Sequence, residues 1–158
     1  MLANRVLRTF TLFPLFFCFL LLLPFLRAQN SPDPWTAAQT VQPPDLAKEL
    51  ANSKSPPTVL FVGFQRLYGA GHIKGAQYHG SGGNDAGLAE IKQWATTLPR
   101  STKLVIYCGC CPMDRCPNLR PAFTALHDMG FTNLRALILP TSFAVDWAEK
   151  GLPYDTGK

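Results

Sequence analysis

Three short apolar runs, separated by longer amphipathic stretches, dominate the pattern of hydrophobic and polar positions along the chain. The runs cover residues 58–62, 103–107 and 134–139, and turn-forming residues lie at or near their ends. Runs of this length are typical of strands that are buried on both faces. Residues 85–98 and 119–129 carry apolar side chains at helical spacing, which predicts amphipathic helices. Strands that alternate with helices predict an α/β domain with right-handed crossovers and a mainly parallel sheet covered by helices.

The segment before the first predicted strand is less regular. Apolar residues follow Asp45 at helical spacing, so Asp45 is the predicted N-cap of a short helix that ends near Ser53. Residues 29–40 begin with a polar, proline-containing stretch, and we predict a linker there. Residues 41–158 then form one domain, which is long enough to bury a single hydrophobic core.

The first 28 residues have the order of a targeting segment. Two arginines precede an apolar run, and Ala28 supplies a small residue where a signal peptidase can cut. The apolar run is close to the length of a membrane span but contains two prolines. Residues 1–28 are therefore either a signal peptide that is cleaved after Ala28 or an N-terminal membrane anchor formed by residues 9–26. Both alternatives predict an exported protein, periplasmic or secreted, that contacts a membrane only through this segment if it is uncleaved.

The charge pattern argues against a nucleic-acid partner. The formal net charge is +5, and removing residues 1–28 removes three arginines and no acid, which leaves +2. In the remainder of the chain, basic and acidic residues are interspersed and form no basic run. The basic character is thus mainly a property of the targeting segment.

Four of the five cysteines lie within nine consecutive positions, and they are Cys108, Cys110, Cys111 and Cys116. In an oxidising compartment, free thiols need a reason, and a structural disulfide framework usually closes longer loops than this. The cysteines follow a predicted strand, and ligands of parallel sheets bind beyond the carboxyl ends of the strands. The sequence therefore predicts that the chemistry is concentrated in this loop.

Four further segments carry a resemblance to a known family. In chain order they are residues 68–76 (Tyr-Gly-Ala-Gly-His-Ile-Lys-Gly-Ala), 104–108 (Leu-Val-Ile-Tyr-Cys), 125–131 (Ala-Leu through Gly-Phe) and 147–153 (Trp through Gly-Leu-Pro). With these motifs the chain resembles the rhodanese-like superfamily over roughly residues 41–153. The resemblance implies a three-layer α/β sandwich with a central, mainly parallel sheet of four or five strands flanked by helices.

The same resemblance implies a sulfurtransferase-type site. Cys108 matches the family nucleophile, which carries sulfur as a persulfide, and a thiolate before a helix N-terminus is stabilised by backbone N–H groups. Arg115 and Arg120 are the candidates for holding a small anionic donor such as thiosulfate. The expected partners are such a donor or a thiol protein, with no organic cofactor. It stays open whether the chain is an enzyme, because its loop after Cys108 is longer than is usual in the family. If it is one, the candidates are a thiosulfate-type sulfurtransferase and a thiol oxidoreductase.

Three interpretations of the cysteine loop remain open. In the first, Cys108 is the nucleophile and Cys111 or Cys116 resolves or relays the persulfide by thiol exchange. In the second, the loop belongs to a non-catalytic metal-binding or sulfur-sensing module that binds zinc, copper or iron, because thiolates suit all three metals. Its ligands are the four loop cysteines, Cys108, Cys110, Cys111 and Cys116. In the third, a local disulfide such as Cys108 to Cys116 stiffens the loop of an inactive scaffold.

The histidines are interpreted as structural. His72 lies in a Gly-His-Ile-Lys-Gly turn, where its ring is expected to satisfy backbone groups of the loop rather than to take part in catalysis. His79 and His127 have no constellation of chemistry-bearing residues around them in the sequence. The cysteine loop thus stays the main candidate for a functional site.

Overall fold

Seven strands and five α-helices alternate along residues 33–157, the part of the chain that this computed structural model describes. The strands are β1 (Thr40–Val41), β2 (Thr58–Phe61), β3 (His72–Ile73), β4 (Gln77–Tyr78), β5 (Leu104–Tyr107), β6 (Leu134–Leu137) and β7 (Tyr154–Asp155). The helices are α1 (Pro43–Asn52), α2 (Gln65–Ala70), α3 (Asp85–Ala95), α4 (Leu119–Asp128) and α5 (Phe143–Asp146). Short 3-10 turns at residues 37–39, 113–115 and 148–150 complete the regular structure.

The main sheet has five parallel strands in the order β1-β6-β5-β2-β4. The three predicted apolar runs form its centre, where β5 pairs with β6 on one side and with β2 on the other. Strands β3 and β7 form a separate antiparallel pair. The predicted α/β fold with a parallel sheet of four or five strands is confirmed.

Alternate residues of the central strands point to two different cores. From β2, Leu60 belongs to the core that includes α3 and α4, whereas Val59 and Phe61 belong to the core that includes α1 and Trp147. Both cores contain side chains with no exposed surface, and burying one such aliphatic or aromatic side chain contributes about 1.5–3 kcal/mol. The sheet is thus buried on both faces, and this explains why its strands are apolar at consecutive positions.

The start of the first helix differs from the prediction. Helix α1 begins at Pro43, with Gln42 as its N-cap, so the prediction that Asp45 caps this helix is wrong. Proline is favoured at the first helical positions, where no N–H partner is needed and its fixed φ suits the helix. Asp45 lies in the first turn, where its negative charge interacts favourably with the positive end of the helix dipole.

The compact unit begins at Asp33, inside the predicted linker at residues 29–40. Trp35 packs edge-on against Phe123 of α4, with ring centroids 5.3 Å apart. Thr40 pairs with β6 as the first residue of β1. Packing against α4 removes part of the Trp35 indole from water. This hydrophobic contact holds residues 33–40 against the surface of the unit.

The predicted signal peptide or anchor at residues 1–28 lies outside the described residues. No helix within residues 33–157 is long and apolar enough to cross a membrane.

Candidate functional site

The cysteine loop leaves the carboxyl end of β5, the middle strand of the main sheet, and leads into α4. Gly109 turns the chain with φ of 67°, a backbone conformation that strongly favours glycine. A Cβ atom on Gly109 would also lie 2.6 Å from Cβ of Phe143, so the loop passes close against α5 at this point. The strand end and the helix N-terminus therefore hold the cysteines between them, as the sequence predicted.

The loop brings three sulfur atoms together. The Sγ atoms of Cys108, Cys110 and Cys116 all lie within 4.8 Å of one another, and we call these three residues the thiol cluster. The Sγ atoms of Cys108 and Cys110 are 3.1 Å apart. Cys111 is not in the cluster, but its Sγ lies 3.1 Å from that of Cys110. All four cysteines of the loop are free thiols in the structure, so it contains no Cys108 to Cys116 disulfide.

One thiol of the cluster is strongly acidified. The S–H of Cys108 donates to Sγ of Cys110. The neighbouring Cys108 thiol contributes most to lowering the pKa of Cys116, and the backbone N–H groups of Asn118 and Leu119 at the start of α4 act in the same direction. The neighbouring Cys116, together with burial, raises the pKa of Cys108. Burial and a hydrogen bond with Cys110 raise the pKa of Cys111. Within the pair formed by Cys108 and Cys116, negative charge is therefore favoured on Cys116 and the proton on Cys108.

This assignment differs from the sequence-based prediction that Cys108 is the thiolate stabilised by the helix. Cys116 is the cysteine nearest the N-terminus of α4, because seven residues separate it from Cys108, which directly follows β5. The positive end of the helix dipole therefore acts mainly on Cys116. Cys108 therefore has the place at the strand end, whereas Cys116 has the lowered pKa.

Asn118 is the functional residue that the sequence analysis missed. Its side chain is fully buried, and its Nδ2 donates to Sγ of Cys108 at 3.4 Å and to Sγ of Cys110 at 3.8 Å. Its Oδ1 accepts a hydrogen bond from Oγ of Ser81 at 2.8 Å. A buried amide satisfied on both sides supplies an N–H donor to a sulfur that becomes negative.

A glycine-rich loop at residues 80–83 makes room for this amide. A Cβ atom on Gly82 would lie 2.1 Å from the backbone oxygen of Asn118, and one on Gly83 would lie 2.4 Å from Oδ1 of Asn118. Gly63 approaches the cluster from β2, since a Cβ atom there would lie 3.1 Å from Sγ of Cys108. Two features of the sequence could have indicated the role of Asn118. They are the glycine-rich segment Gly80-Ser81-Gly82-Gly83 and the position of the asparagine directly before α4.

The two arginines predicted to bind a donor have other contacts. Arg120 forms a 2.6 Å ion pair with Asp33 and donates to the carbonyl oxygen of Met113 at 3.0 Å. The Arg115 side chain is 82% exposed and lies 3.8 Å from Asp114. Within residues 33–157, neither guanidinium donates a hydrogen bond to a cysteine sulfur. The structure therefore brings the thiols together, but within the described residues the guanidinium groups of Arg115 and Arg120 form no hydrogen bond with them.

His72 has the structural role expected for it. Its Nδ1 lies 2.8 Å from the carbonyl oxygen of Tyr68, and the two rings are stacked with centroids 3.8 Å apart. Tyr68 in turn donates from its hydroxyl to the carbonyl oxygen of Ala76 at 2.7 Å. These bonds close the turn around β3 and satisfy backbone groups, as predicted.

The thiol cluster also meets the geometric requirement for a soft metal ion. Three thiol sulfurs within 4.8 Å of one another offer the donor type that zinc and Cu(I) prefer. The metal-binding alternative named four cysteines as ligands, whereas the structure brings three of them together and leaves out Cys111. Burial of Cys108 and Cys116 shields the cluster from solvent, and Cys110 is half-buried.

Comparisons with known proteins concern the described unit as a whole. No protein-family model matches the chain, and no curated protein matches it in sequence. Among solved structures, the BH2092 protein from Bacillus halodurans is similar with a TM-score of 0.58 and 17% identity, over 74% of this chain and 76% of that one. The Alr3790 protein from Anabaena sp. gives a TM-score of 0.56 at 20% identity, over 74% of this chain and 92% of that one. The solution structure of the rhodanese-like domain of Alr3790 gives 0.55 at 20% identity, over 75% and 79%.

Proposed function

Because the chain has the rhodanese-like fold, we propose that it transfers sulfane sulfur, the outer sulfur of a donor, through the thiol cluster. In this proposal Cys108 is the nucleophile and carrier, and it shares one proton with the neighbouring Cys116. The observation that supports it best is the convergence of the sulfurs of Cys108, Cys110 and Cys116 within 4.8 Å of one another at the carboxyl end of the central strand, where the pKa of Cys116 is lowered. Cys108 and Cys110, but not Cys116, line a cleft that opens at this end of the sheet.

The loading step follows from this arrangement. Cys108 and Cys116 share one proton, and in the arrangement that places it on Cys116 the Cys108 thiolate attacks the outer sulfur of the donor. A new S–S bond forms at Cys108, the S–S bond of the donor breaks, and the leaving group departs with the electron pair of that bond. No oxidant or reductant is needed, because one S–S bond replaces another. The Nδ2 group of Asn118 donates to Cys108 and stabilises the negative charge on its sulfur.

Discharge reverses the same steps with an acceptor thiol. The acceptor thiolate attacks the outer sulfur of the Cys108 persulfide, and Cys108 leaves as a thiolate. It then recovers its proton from Cys116, which becomes the thiolate again. Cys110 is 3.1 Å from Cys108 and half-buried, so it is placed to accept the sulfur and pass it outward.

The experiment incubates the purified protein with thiosulfate or with benzenethiosulfonate and measures its intact mass. We expect a gain of one sulfur atom that cyanide removes, and peptide mapping should place it on Cys108. Cys108→Ser should abolish the gain, whereas Cys116→Ser should slow it without abolishing it. Loading that survives in Cys108→Ser and disappears in Cys116→Ser would make Cys116 the carrier and contradict the assignment. If neither donor loads the wild-type protein, the sulfur-transfer function is wrong.

A second function, the binding of Zn²⁺ or Cu(I), is supported by the convergence of the three sulfurs of the thiol cluster. Under this alternative the protein holds or senses a soft metal without turnover. Native mass spectrometry after incubation with each ion measures stoichiometry, and denaturation should release the metal. Cys111→Ser, outside the cluster, is the matched control and should retain binding that Cys110→Ser loses.

The cellular location is a separate proposal that depends on the sequence alone. We propose export, with residues 1–28 as a signal peptide or as an uncleaved anchor. N-terminal sequencing of the protein from its natural host distinguishes the two, because cleavage leaves Gln29 as the first residue. Recovery of the full-length chain in a cytoplasmic fraction would contradict export.

A further inference from the structure

A cleft of about 330 Å³ opens over the thiol cluster at the carboxyl end of the sheet. Its walls include the side chains of Phe61, Leu67, Phe143 and Tyr154, and Cys108 and Cys110 form part of its lining. A volume in this range is at the lower end of ligand sites in proteins and accepts a small organic group. The proposed nucleophile, Cys108, therefore lies at the wall of a cleft that is large enough for a small organic group.

Among residues 33–157, those that line this cleft include no acidic or basic side chain. The two cations proposed from the sequence, Arg115 and Arg120, are not among them, and Arg120 is paired with Asp33. Two lining residues, Ser142 and Tyr154, carry hydroxyl groups, and Oγ of Ser142 already accepts from the backbone N–H of Val145 at 3.2 Å. An anion such as thiosulfate would lose hydration here without gaining an ion pair.

The apolar walls are held in place by contacts among their own aromatic rings. Phe143 and Tyr154 meet edge to face with centroids 6.1 Å apart, and Phe143 lies 6.1 Å from the buried ring of Tyr107. A Cβ atom on Gly71 would lie 3.2 Å from the ring of Phe143, so the backbone of α2 closes the opposite side. These contacts make the cleft a formed feature of the fold.

The rim of the cleft is apolar as well. Leu67 is 39% exposed and Tyr154 is 49% exposed, and both are large hydrophobic side chains in contact with solvent. A ligand with an apolar group gains by covering them, since each methylene removed from water contributes about 0.8 kcal/mol. The lining, the rim and the lack of charge all favour the same kind of ligand.

We infer, on the basis of the proposed function, that the donor is an organic sulfane-sulfur compound held by an apolar carbon group rather than by its charge. The apolar group occupies the cleft between Leu67, Phe143 and Tyr154, and the outer sulfur reaches Cys108. For a thiosulfonate donor, the Cys108 thiolate bonds to the outer sulfur, the S–S bond of the donor breaks, and the sulfinate leaves with the electron pair. Inorganic thiosulfate lacks the apolar group and is the poorer donor.

A matched pair of donors tests this inference on the full chain. Benzenethiosulfonate and methanethiosulfonate carry the same charge and react in the same way, but only the first has a large apolar group. The rate constants for sulfur loading are measured for both, and each is divided by the rate constant for free cysteine. We expect the corrected ratio to favour benzenethiosulfonate by at least about tenfold, because most of the phenyl group is removed from water. A corrected ratio near one would overturn the inference.

Two lysine variants locate the effect. Leu67→Lys places a cation at the rim of the cleft and should shift the preference toward methanethiosulfonate and thiosulfate. Phe64→Lys is the matched control, since Phe64 is an exposed hydrophobic residue that does not line the cleft. An equal shift in both variants would show an effect of overall charge and would contradict a role for the cleft.

A ligand with no sulfur to give separates this inference from the proposed function. Benzyl methyl sulfide is titrated into the protein, and the NMR signals of Phe143 and Tyr154 are followed. Shifts at these rings with no loading by any donor would support binding of an apolar organic ligand in the cleft and refute sulfur transfer. Loading by all donors at equal corrected rates, without such shifts, would leave sulfur transfer standing and refute the ligand class.

Discussion

The hydroxyl of Ser81 donates a 2.8 Å hydrogen bond to Oδ1 of Asn118, and both side chains are buried. This bond fixes the orientation of the amide, because it leaves Nδ2 on the side of the sulfurs of Cys108 and Cys110. Residues 37 positions apart in the sequence thus cooperate to aim one N–H donor at the thiol cluster. The orientation of the amide is a property of the glycine-rich loop as much as of the cysteine loop.

Removing the Ser81 hydroxyl should therefore affect both stability and thiol chemistry. Ser81→Ala leaves Oδ1 of Asn118 buried without a donor, and we expect a loss of about 1–3 kcal/mol in the free energy of unfolding, measured in urea. Thr97→Ala removes an exposed hydroxyl that bonds only to a carbonyl in its own helix turn, and should change stability by less than about 0.5 kcal/mol. Equal losses in the two variants would contradict the bridging role of Ser81.

The close approach of the glycine-rich loop to Asn118 gives a second prediction. Gly82→Ala places a Cβ atom 2.1 Å from the backbone oxygen of Asn118 and 2.9 Å from Cβ of Ala122, so the loop or the start of α4 must move. We expect a loss of about 1–3 kcal/mol in the free energy of unfolding, or more. Gly69→Ala, in α2, meets no atom within 4 Å and should stabilise the protein by about 0.5–1 kcal/mol. Thermal unfolding of the two variants in opposite directions is the expected result.

The acidified thiol of Cys116 predicts a shifted pH dependence. Because its pKa is lowered, the thiolate should persist below the pH at which free cysteine becomes protonated, and it should be lost as the pH falls through the lowered pKa. Ultraviolet thiolate absorbance as a function of pH measures this midpoint. Cys108→Ala removes the neighbouring thiol that contributes most to the lowered pKa of Cys116, and it should move the midpoint upward. Cys111→Ala is the control and should move it less.

The buried hydroxyl of Tyr107 links the site to the turn around β3. It accepts a 2.8 Å hydrogen bond from the backbone N–H of Ile73, and burial raises the pKa of Tyr107, so it stays neutral. Tyr107→Phe leaves that N–H buried without a partner and should cost about 1–3 kcal/mol in chemical denaturation. Tyr154→Phe changes an exposed ring and should cost less than about 0.5 kcal/mol. A negligible effect of Tyr107→Phe would mean that the turn relaxes to bond elsewhere.

The layered fold could be predicted because its central strands are marked by apolar side chains at consecutive positions. Leu104 through Tyr107 are all buried, and a strand covered on both faces leaves this pattern in any sequence. Strands β1 and β4 have two residues each, and a pattern of period two cannot be recognised over two positions. Their pairing is decided by the neighbouring strands rather than by local sequence.

The location of the site could be predicted, but the division of labour within it could not. Cys108 follows a recognisable strand, so its place at the carboxyl end of the sheet follows from topology alone. The acidity of Cys116 depends on where α4 begins and on which N–H groups face its sulfur, and the spacing of the cysteines does not contain that information. The role of Asn118 depends on contact with Ser81, which folding alone brings near.

The two outer strands of the main sheet, β1 and β4, contain two residues each, although the strands between them contain four. An outer strand this short exposes few unpaired backbone groups to a strand of another molecule. The apolar centre of the sheet is therefore protected from edge-to-edge association between copies of the chain. This protection allows the carboxyl end of the sheet to keep an exposed apolar rim around its thiols at little risk of aggregation through the sheet itself.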